Sequence, residues 1–279
     1  MCLVALALGQ SARFPLVLAS NRDEFFDRPT APLDWWPGPD GAPAVLAGRD
    51  LQAGGTWLGL SRGGRLALVT NVRDGRGNDP RAPSRGALVP DWLLGEEPFH
   101  AHWPRLAMAG HNGFNLVAAD VAAGAWYWAG SRATAPQRLG DGLYGLSNAA
   151  LDTPWPKVDK LKAALRRALR EAGTTAALSA RLFDALADPA RADDALLPTT
   201  GVPLPLEREL SAAWIRTADG RYGTRCSTLV ITENTPHGPI TQVIERSHGP
   251  QGAERRAALH GWPGRAAASS TIELRPLPS

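Results

Sequence analysis

Short apolar bursts dominate the first half of the chain, and helical spacing of apolar residues appears only in its middle. Residues 2–8 form one unbroken apolar run and residues 14–20 nearly form another. Gly9-Gln10-Ser11-Ala12 lies between them and reads as a turn, so the two runs predict a β-hairpin. Residues 29–43 are rich in Pro and Gly and carry Trp35 and Trp36, which predicts an ordered excursion rather than a strand. Residues 56–60 and 65–70 flank Gly63-Gly64, a second hairpin signal. Residues 71–85 are polar and basic and read as a loop. Ser84 is placed to cap a short helix through Leu88, Val89, Trp92 and Leu93. Residues 114–120 and 125–129 make a third hairpin around Ala123-Gly124.

The period then changes. Val158, Leu161, Leu165 and Leu169 recur at helical spacing across 154–172, with Lys and Arg on the other face and Gly173 as terminator. Leu178, Leu182 and Leu186 mark a second helix that ends before Pro189, and 188–207 is a Pro-rich loop. Strand character returns at 227–233, 240–246 and 270–274. Strands, then helices, then strands predict an α+β fold with mostly antiparallel sheets, as one domain over 1–279.

Composition narrows the function classes. The 279 residues are 44% hydrophobic and 20% charged, enough for a sizeable core. No apolar run reaches the roughly 20 residues a membrane helix needs, and the first run lacks the basic flank of a signal peptide. Thirty basic against 27 acidic residues give a net charge of +3, too balanced to indicate nucleic acid. Two cysteines, Cys2 and Cys226, cannot build a disulfide framework or a cysteine-rich zinc site. A cytoplasmic, reducing location is expected.

Cys2 carries the most chemistry. Loss of Met1 would leave a thiol and a free α-amine on one residue. That amine has a reference pKa of about 7.7–8.0, suited to act as a base at neutral pH. Nucleophile and base would then come preassembled. The second feature is Ser20-Asn21-Arg22-Asp23-Glu24, five polar residues directly after an apolar run. In a hairpin this stretch returns beside the N-terminus, where Asp23 can accept from an ammonium and Arg22 can lower a thiol pKa.

Other signals are weaker. Gly59-Leu60-Ser61-Arg62-Gly63 matches G-x-S-x-G but precedes a strand rather than a helix, so Ser61 reads as a hairpin residue. His100, His102 and His111 lack metal-binding spacing and read as a surface loop, and no metal site is expected. Arg62, Arg65, Arg73, Arg76, Arg81 and Arg85 read as a solvated face or as a surface for an anionic ligand, with Trp35, Trp36 and Trp57 as packing residues or pocket walls. Cys226 reads as a buried strand residue.

Met1-Cys2-Leu3 followed by Ser20-Asn21-Arg22-Asp23-Glu24 resembles the NRDE family, the transport and Golgi organisation proteins and their bacterial relatives. Further matching stretches run along nearly the whole chain. They include Ala47-Gly48-Arg49-Asp50, Gly54-Gly55-Thr56-Trp57, Thr70-Asn71-Val72-Arg73, Ser84-Arg85-Gly86, Leu146-Ser147-Asn148 and Tyr222-Gly223-Thr224-Arg225. That family resembles in turn the N-terminal-nucleophile (Ntn) hydrolases, especially the cholylglycine-hydrolase branch, which begins Met-Cys and is cut after Met. The resemblance implies a four-layer αββα sandwich of two antiparallel sheets, with the 154–172 and 175–187 helices on one outer face. It implies Cys2 as nucleophile and Asp23 as the Asp closing the branch's Arg-Asn-x-Asp stretch. That stretch's Arg falls at Ser20 here, a departure, although Arg22 stands two residues on. Asn71 and Asn148 correspond to the oxyanion and nucleophile-positioning amides, and Arg225 to a late arginine near the nucleophile.

Two functions follow as expectations. One is hydrolysis of a non-peptide C–N amide by Cys2, Asp23, Asn71, Asn148 and Arg225, with Asn21, Arg22, Trp57 and Arg73 contacting a small-molecule amide and no cofactor required. The other is a binding or trafficking protein on the same fold, taking haem or an acyl-CoA or other lipid.

Overall fold

The computed structural model describes residues 3–38, 41–249, 252–264 and 272–277. In chain order the strands begin with β1 (Leu3–Leu8), β2 (Leu16–Phe25), β3 (Thr30–Pro37), β4 (Pro43–Asp50), β5 (Leu58–Ser61) and β6 (Arg65–Asn71). Helices α1 (Leu88–Leu94) and α2 (Phe99–Ala107) follow, then β7 (Phe114–Asp120), β8 (Ala125–Gly130), β9 (Gln137–Leu139) and β10 (Gly142–Leu146). Next come α3 (Pro156–Glu171), α4 (Thr175–Leu186) and α5 (Leu204–Glu209). The chain ends on β11 (Tyr222–Thr235), β12 (Gly238–Ser247), β13 (Ala253–His260) and β14 (Glu273–Pro276).

Among the described residues the strands form two seven-stranded antiparallel sheets. One runs β10-β1-β2-β11-β12-β13-β14 and the other β3-β4-β5-β6-β7-β8-β9. Strand alternation explains how they stack. Val4, Leu6, Leu8, Leu16 and Leu18 join Leu46, Leu58, Leu60, Leu66 and Leu68 in a core between the sheets. The opposite faces of β1 and β2, with Leu3, Ala5, Val17 and Ala19, pack on Val158, Leu161, Leu165, Leu178 and Leu182 of α3 and α4. A third core places Val45, Ala67, Val69 and Leu116 of the second sheet against Leu88, Val89, Trp92 and Leu93 of α1 and Phe99 and Leu106 of α2. Helix, sheet, sheet and helix are therefore stacked in four layers, with α3 and α4 covering one outer face as expected.

The β1–β2, β5–β6 and β7–β8 hairpins fall where their turn signals sit. Ser84 Oγ accepts from Gly86 N at 3.3 Å and opens the turn leading into α1. Four expectations need correction. Residues 30–37 are a strand, β3, because Pro32 and Pro37 sit on a sheet edge where a missing N–H costs no ladder bond. His100 and His102 lie on helix α2 rather than in a loop, and His102 is buried. Phe99, His102 and Leu106 present one buried face, and that packing outweighs Pro104 within the helix. The 188–207 segment contains a 3-10 turn at 194–196 and the start of α5. Of the expected 270–274 strand, residues 270 and 271 lie outside the described residues, and β14 runs over Glu273–Pro276, paired with β13. No helix of the described residues is long and apolar enough to cross a membrane.

Candidate active site

Met1 and Cys2 lie outside the described residues. Leu3 is the first described residue, and it pairs with Asn21 in the β1–β2 ladder. The Ser20–Glu24 motif is therefore no turn. It continues β2, flanked on its other edge by β11, and its first four residues are buried.

Within the motif, alternation divides the work. Asn21 is fully buried and faces the helix layer, where Nδ2 donates to Leu186 O and Ala213 O, both at 2.8 Å. Its Oδ1 accepts from Ser227 Oγ at 2.6 Å, and Ser227 Oγ lies 3.0 Å from His248 Nε2. This residue ties α4 and the 213 segment to β2 and lines none of the three clefts described below. Asp23 is 3% exposed, and its Oδ1 accepts from Thr224 Oγ1 at 2.7 Å. Thr224 Oγ1 accepts in turn from Ile215 N, so the carboxyl is anchored to β11 and the segment before it.

Arg22 points between the sheets. It is 4% exposed, and its guanidinium carbon stands 4.4 Å from the centre of a Trp57 ring. Its polar contacts among the described residues are long: Thr30 Oγ1 at 3.4 Å and Glu24 Oε2 at 3.8 Å. Trp57 is held by two glycines. A Cβ on Gly48 would stand 2.5 Å from the Trp57 ring, and one on Gly55 would stand 2.3 Å from Gly86 O. Thr56 N donates to that same Gly86 carbonyl at 3.0 Å. The matching Ala47–Asp50, Gly54–Trp57 and Ser84–Gly86 stretches thus build one platform. Asp50 completes it by accepting from Arg28 Nη2 at 2.7 Å and from Gln52 N and Ala53 N. Burial opposes ionisation of Asp50, but Arg28 and those N–H groups hold its carboxyl below the usual range.

Asn71 ends β6. Asn148 Nδ2 donates to Asn71 O at 2.9 Å, Arg73 N donates to Asn148 O at 2.8 Å, and Arg73 Nη2 reaches Asn148 Oδ1 at 3.3 Å. Arg73 also pairs with buried Glu207 at 2.7 Å and lies over Trp155. Arg225 Nη1 donates to Phe25 O at 2.7 Å and Arg28 O at 3.0 Å, bracing the turn after β2.

Arg22, Trp57 and Asn71 open onto one cleft of about 520 Å³, with Glu24, Arg28 and Asp50 on its walls and residues 78–80 and 82–86 at its rim. Asn148 and Arg73 line a different cleft of about 630 Å³, beside Trp128 and Trp155. The basic run is not one surface, since Arg65 is buried behind α1. Cys226 is a buried β11 residue, and Ser61 Oγ accepts from Arg65 N inside its hairpin. Sequence reasoning missed Glu245, which is 2% exposed between the sheets. The available signal was its parity with Thr241 and Val243 in a strand-like run: a carboxylate on an inward face.

The fold and the cleft define a class: an α+β sandwich with a polar pocket between its sheets, beside the strand that starts the described chain. The profile of the family described as Transport and Golgi organisation 2 matches residues 1–248. The Bos taurus transport and Golgi organization protein 2 homolog is 35% identical over 247 residues, covering 82% of this chain and 86% of the relative. The Mus musculus homolog is 33% identical over the same coverage. The chain belongs to the Transport and Golgi organisation 2 family. Among solved structures, the Caenorhabditis elegans N-acylethanolamine-hydrolyzing acid amidase ortholog is similar at 11% identity and a TM-score of 0.46, over 82% of this chain and 92% of that one. The C2A mutant of conjugated bile acid hydrolase from Clostridium perfringens is similar at 9% identity and a TM-score of 0.47, over 100% of this chain and 97% of that one.

Proposed function

We propose that the protein is an N-terminal-cysteine amidohydrolase that cleaves a non-peptide C–N amide after removal of Met1. The observation that carries the reading is the register of β1 on β2. A residue bonded to Leu3 has its Cα about 3.8 Å from that of Leu3, and Leu3 itself is paired with Asn21, two residues before the buried Asp23 carboxyl. In this reading the α-amine of Cys2 takes the thiol proton, and Asp23 holds the resulting ammonium. Arg22 favours the thiolate by charge.

The sulfur attacks the amide carbon, and the carbonyl oxygen takes the negative charge. The Asn71 amide, on the wall of the same cleft as Arg22 and Trp57, donates to that oxygen. One such donor is worth roughly 2.7–4 kcal/mol in the transition state. The C–N bond breaks as the ammonium returns a proton to the leaving amine. Water, deprotonated by the freed α-amine, then hydrolyses the thioester and restores the thiol. Asn148 positions Asn71 through its bond to the Asn71 carbonyl, and Arg225 braces the end of β2. A reducing cytoplasmic location suits a reactive thiol.

Intact mass of purified native protein, thiol labelling and hydrolysis of a panel of N-acyl amides test the reading together. Loss of Met1, rapid labelling at Cys2, and turnover abolished by Cys2→Ala are expected. Retained Met1 with an inert Cys2, or full turnover in Cys2→Ala, overturns it.

A second reading is a carrier of haem or acyl-CoA. It is favoured by the 630 Å³ cleft, where Trp128 and Trp155 stand beside Arg73, Arg76 and Arg132. Ligand affinity unchanged by Cys2→Ala, without turnover, selects it.

A further inference from the structure

A third cleft, of about 610 Å³, opens between β11, β12 and β13 on one side and β3 on the other. It shares Trp57 with the proposed active cleft and takes its other walls from Arg225, Cys226, Glu245, His248 and Arg255. We propose that this cleft is a binding site for a carboxylate or phosphate carried on a small organic group, gripped by Arg255 and Arg225. The site needs none of the amidase reading.

Positive charge is the first argument. Arg255 spends Nη1 on weak contacts, with Leu33 O at 3.4 Å and exposed Asp34 at 3.3 Å. Arg225 spends Nη1 on two carbonyls. Among the described residues neither Nη2 has an acceptor, so each guanidinium keeps a free donor edge of the kind that pairs with oxyanions. Burial lowers the Arg225 pKa, and the neighbouring Arg22 charge lowers it further, against Cys226, Glu24 and Asp27, which raise it.

The acid on the floor does not cancel them. Glu245 Oε1 accepts from Leu33 N at 2.7 Å and Oε2 accepts from Thr228 Oγ1 at 3.3 Å. Burial pushes the Glu245 carboxyl pKa up, against the opposing pull of those two bonds and of the Arg22 and Arg255 charges. His248 is neutral at physiological pH, its pKa pushed down to about 4 by burial and by Arg246. Pro32, Trp57 and Leu274 supply apolar wall for an organic group, and the volume suits a small molecule.

Calorimetric titration with benzoate, phenyl phosphate and neutral benzamide tests the site. Saturable 1:1 binding of either anion is expected, with none for benzamide, and the tighter anion names the ligand class. Arg255→Gln should weaken binding by about 10-fold or more, the worth of a charge-assisted contact, while Arg81→Gln, on an exposed loop, leaves it unchanged. Hydrogen exchange on the wild-type protein locates the site without any variant. Added phenyl phosphate should protect β12 and β13. Protection of residues 72–76 instead, equal binding of benzamide, or unchanged affinity in a folded Arg255→Gln overturns the proposal.

Discussion

Among the described residues two buried arginines stack on tryptophans, one in each kind of interface. Arg65 lies over Trp92 at 4.0 Å where the second sheet meets α1. Its Nη1 donates to Trp92 O at 3.0 Å and its Nη2 to Glu97 O at 2.7 Å. Arg22 lies over Trp57 at 4.4 Å between the sheets, with polar contacts of 3.4 and 3.8 Å. Both pairs look alike as composition, and both cations are nearly sealed from solvent. The first spends both terminal nitrogens on short bonds to backbone carbonyls, so it closes a helix terminus and stabilises. Among the described residues the second makes no polar contact shorter than 3.4 Å, and it lies beside a cleft. Burying a cation without short partners costs stability, and a functional site is where such a cost is tolerated.

The sharpest way to break this contrast is to move the platform beneath Arg22. Gly55→Ala places a methyl 2.3 Å from Gly86 O, a backbone atom that cannot swing away. A loss of about 3 kcal/mol or more is expected in urea denaturation. Arg65→Ala comes next, at about 2–3 kcal/mol, because it removes the charge-assisted bonds to the Trp92 and Glu97 carbonyls and the packing on Trp92.

Acid adds a third test. His248 has its pKa lowered from 6.5 to about 4, first by burial and then by Arg246. The unfolded chain therefore binds a proton that the native state resists. The stabilisation is complete above pH 6.5 and is lost as pH falls from 6.5 toward 4, at up to about 1.4 kcal/mol per pH unit. Burial also lowers the His102 pKa, which adds to the same slope. Guanidinium melts at pH 7.5, 6 and 5 should show this fall, and His248→Gln should flatten it. Arg22→Ala is the smallest effect on stability, under about 1 kcal/mol, yet under the proposed function it should lower amide turnover. An Arg22→Ala loss as large as that of Arg65→Ala would erase the distinction between the two pairs.

Local pattern was enough for much of the architecture. The continuous apolar runs at 2–8 and 14–20, the Gly63-Gly64 turn and the leucine spacing of 154–172 each depend on neighbours a few residues apart, so the hairpins and α3 were legible from the chain alone. The stretches that resemble one family were legible as well, though not what joins them. Residues 30–37 hid as a strand because their prolines are tolerated only on an edge, and being an edge is a property of the whole sheet. Helix α2 hid because its proline is outweighed by a buried face that exists only once the second sheet is present.

The site shows the same division. Sequence singled out Asn21, Arg22 and Asp23 together, as one polar stretch. Only the tertiary structure separated them: Asn21 bonds to Leu186, Ala213 and Ser227, and Asp23 to Thr224, across 165 to 206 positions of chain. Arg22 meets Trp57 on the opposite face of the same strand. Residue type and period were sufficient to say that a strand ends in polar groups. Which of those groups is saturated, and which is left with donors to offer, is decided by partners that only the folded sheets bring within hydrogen-bond distance.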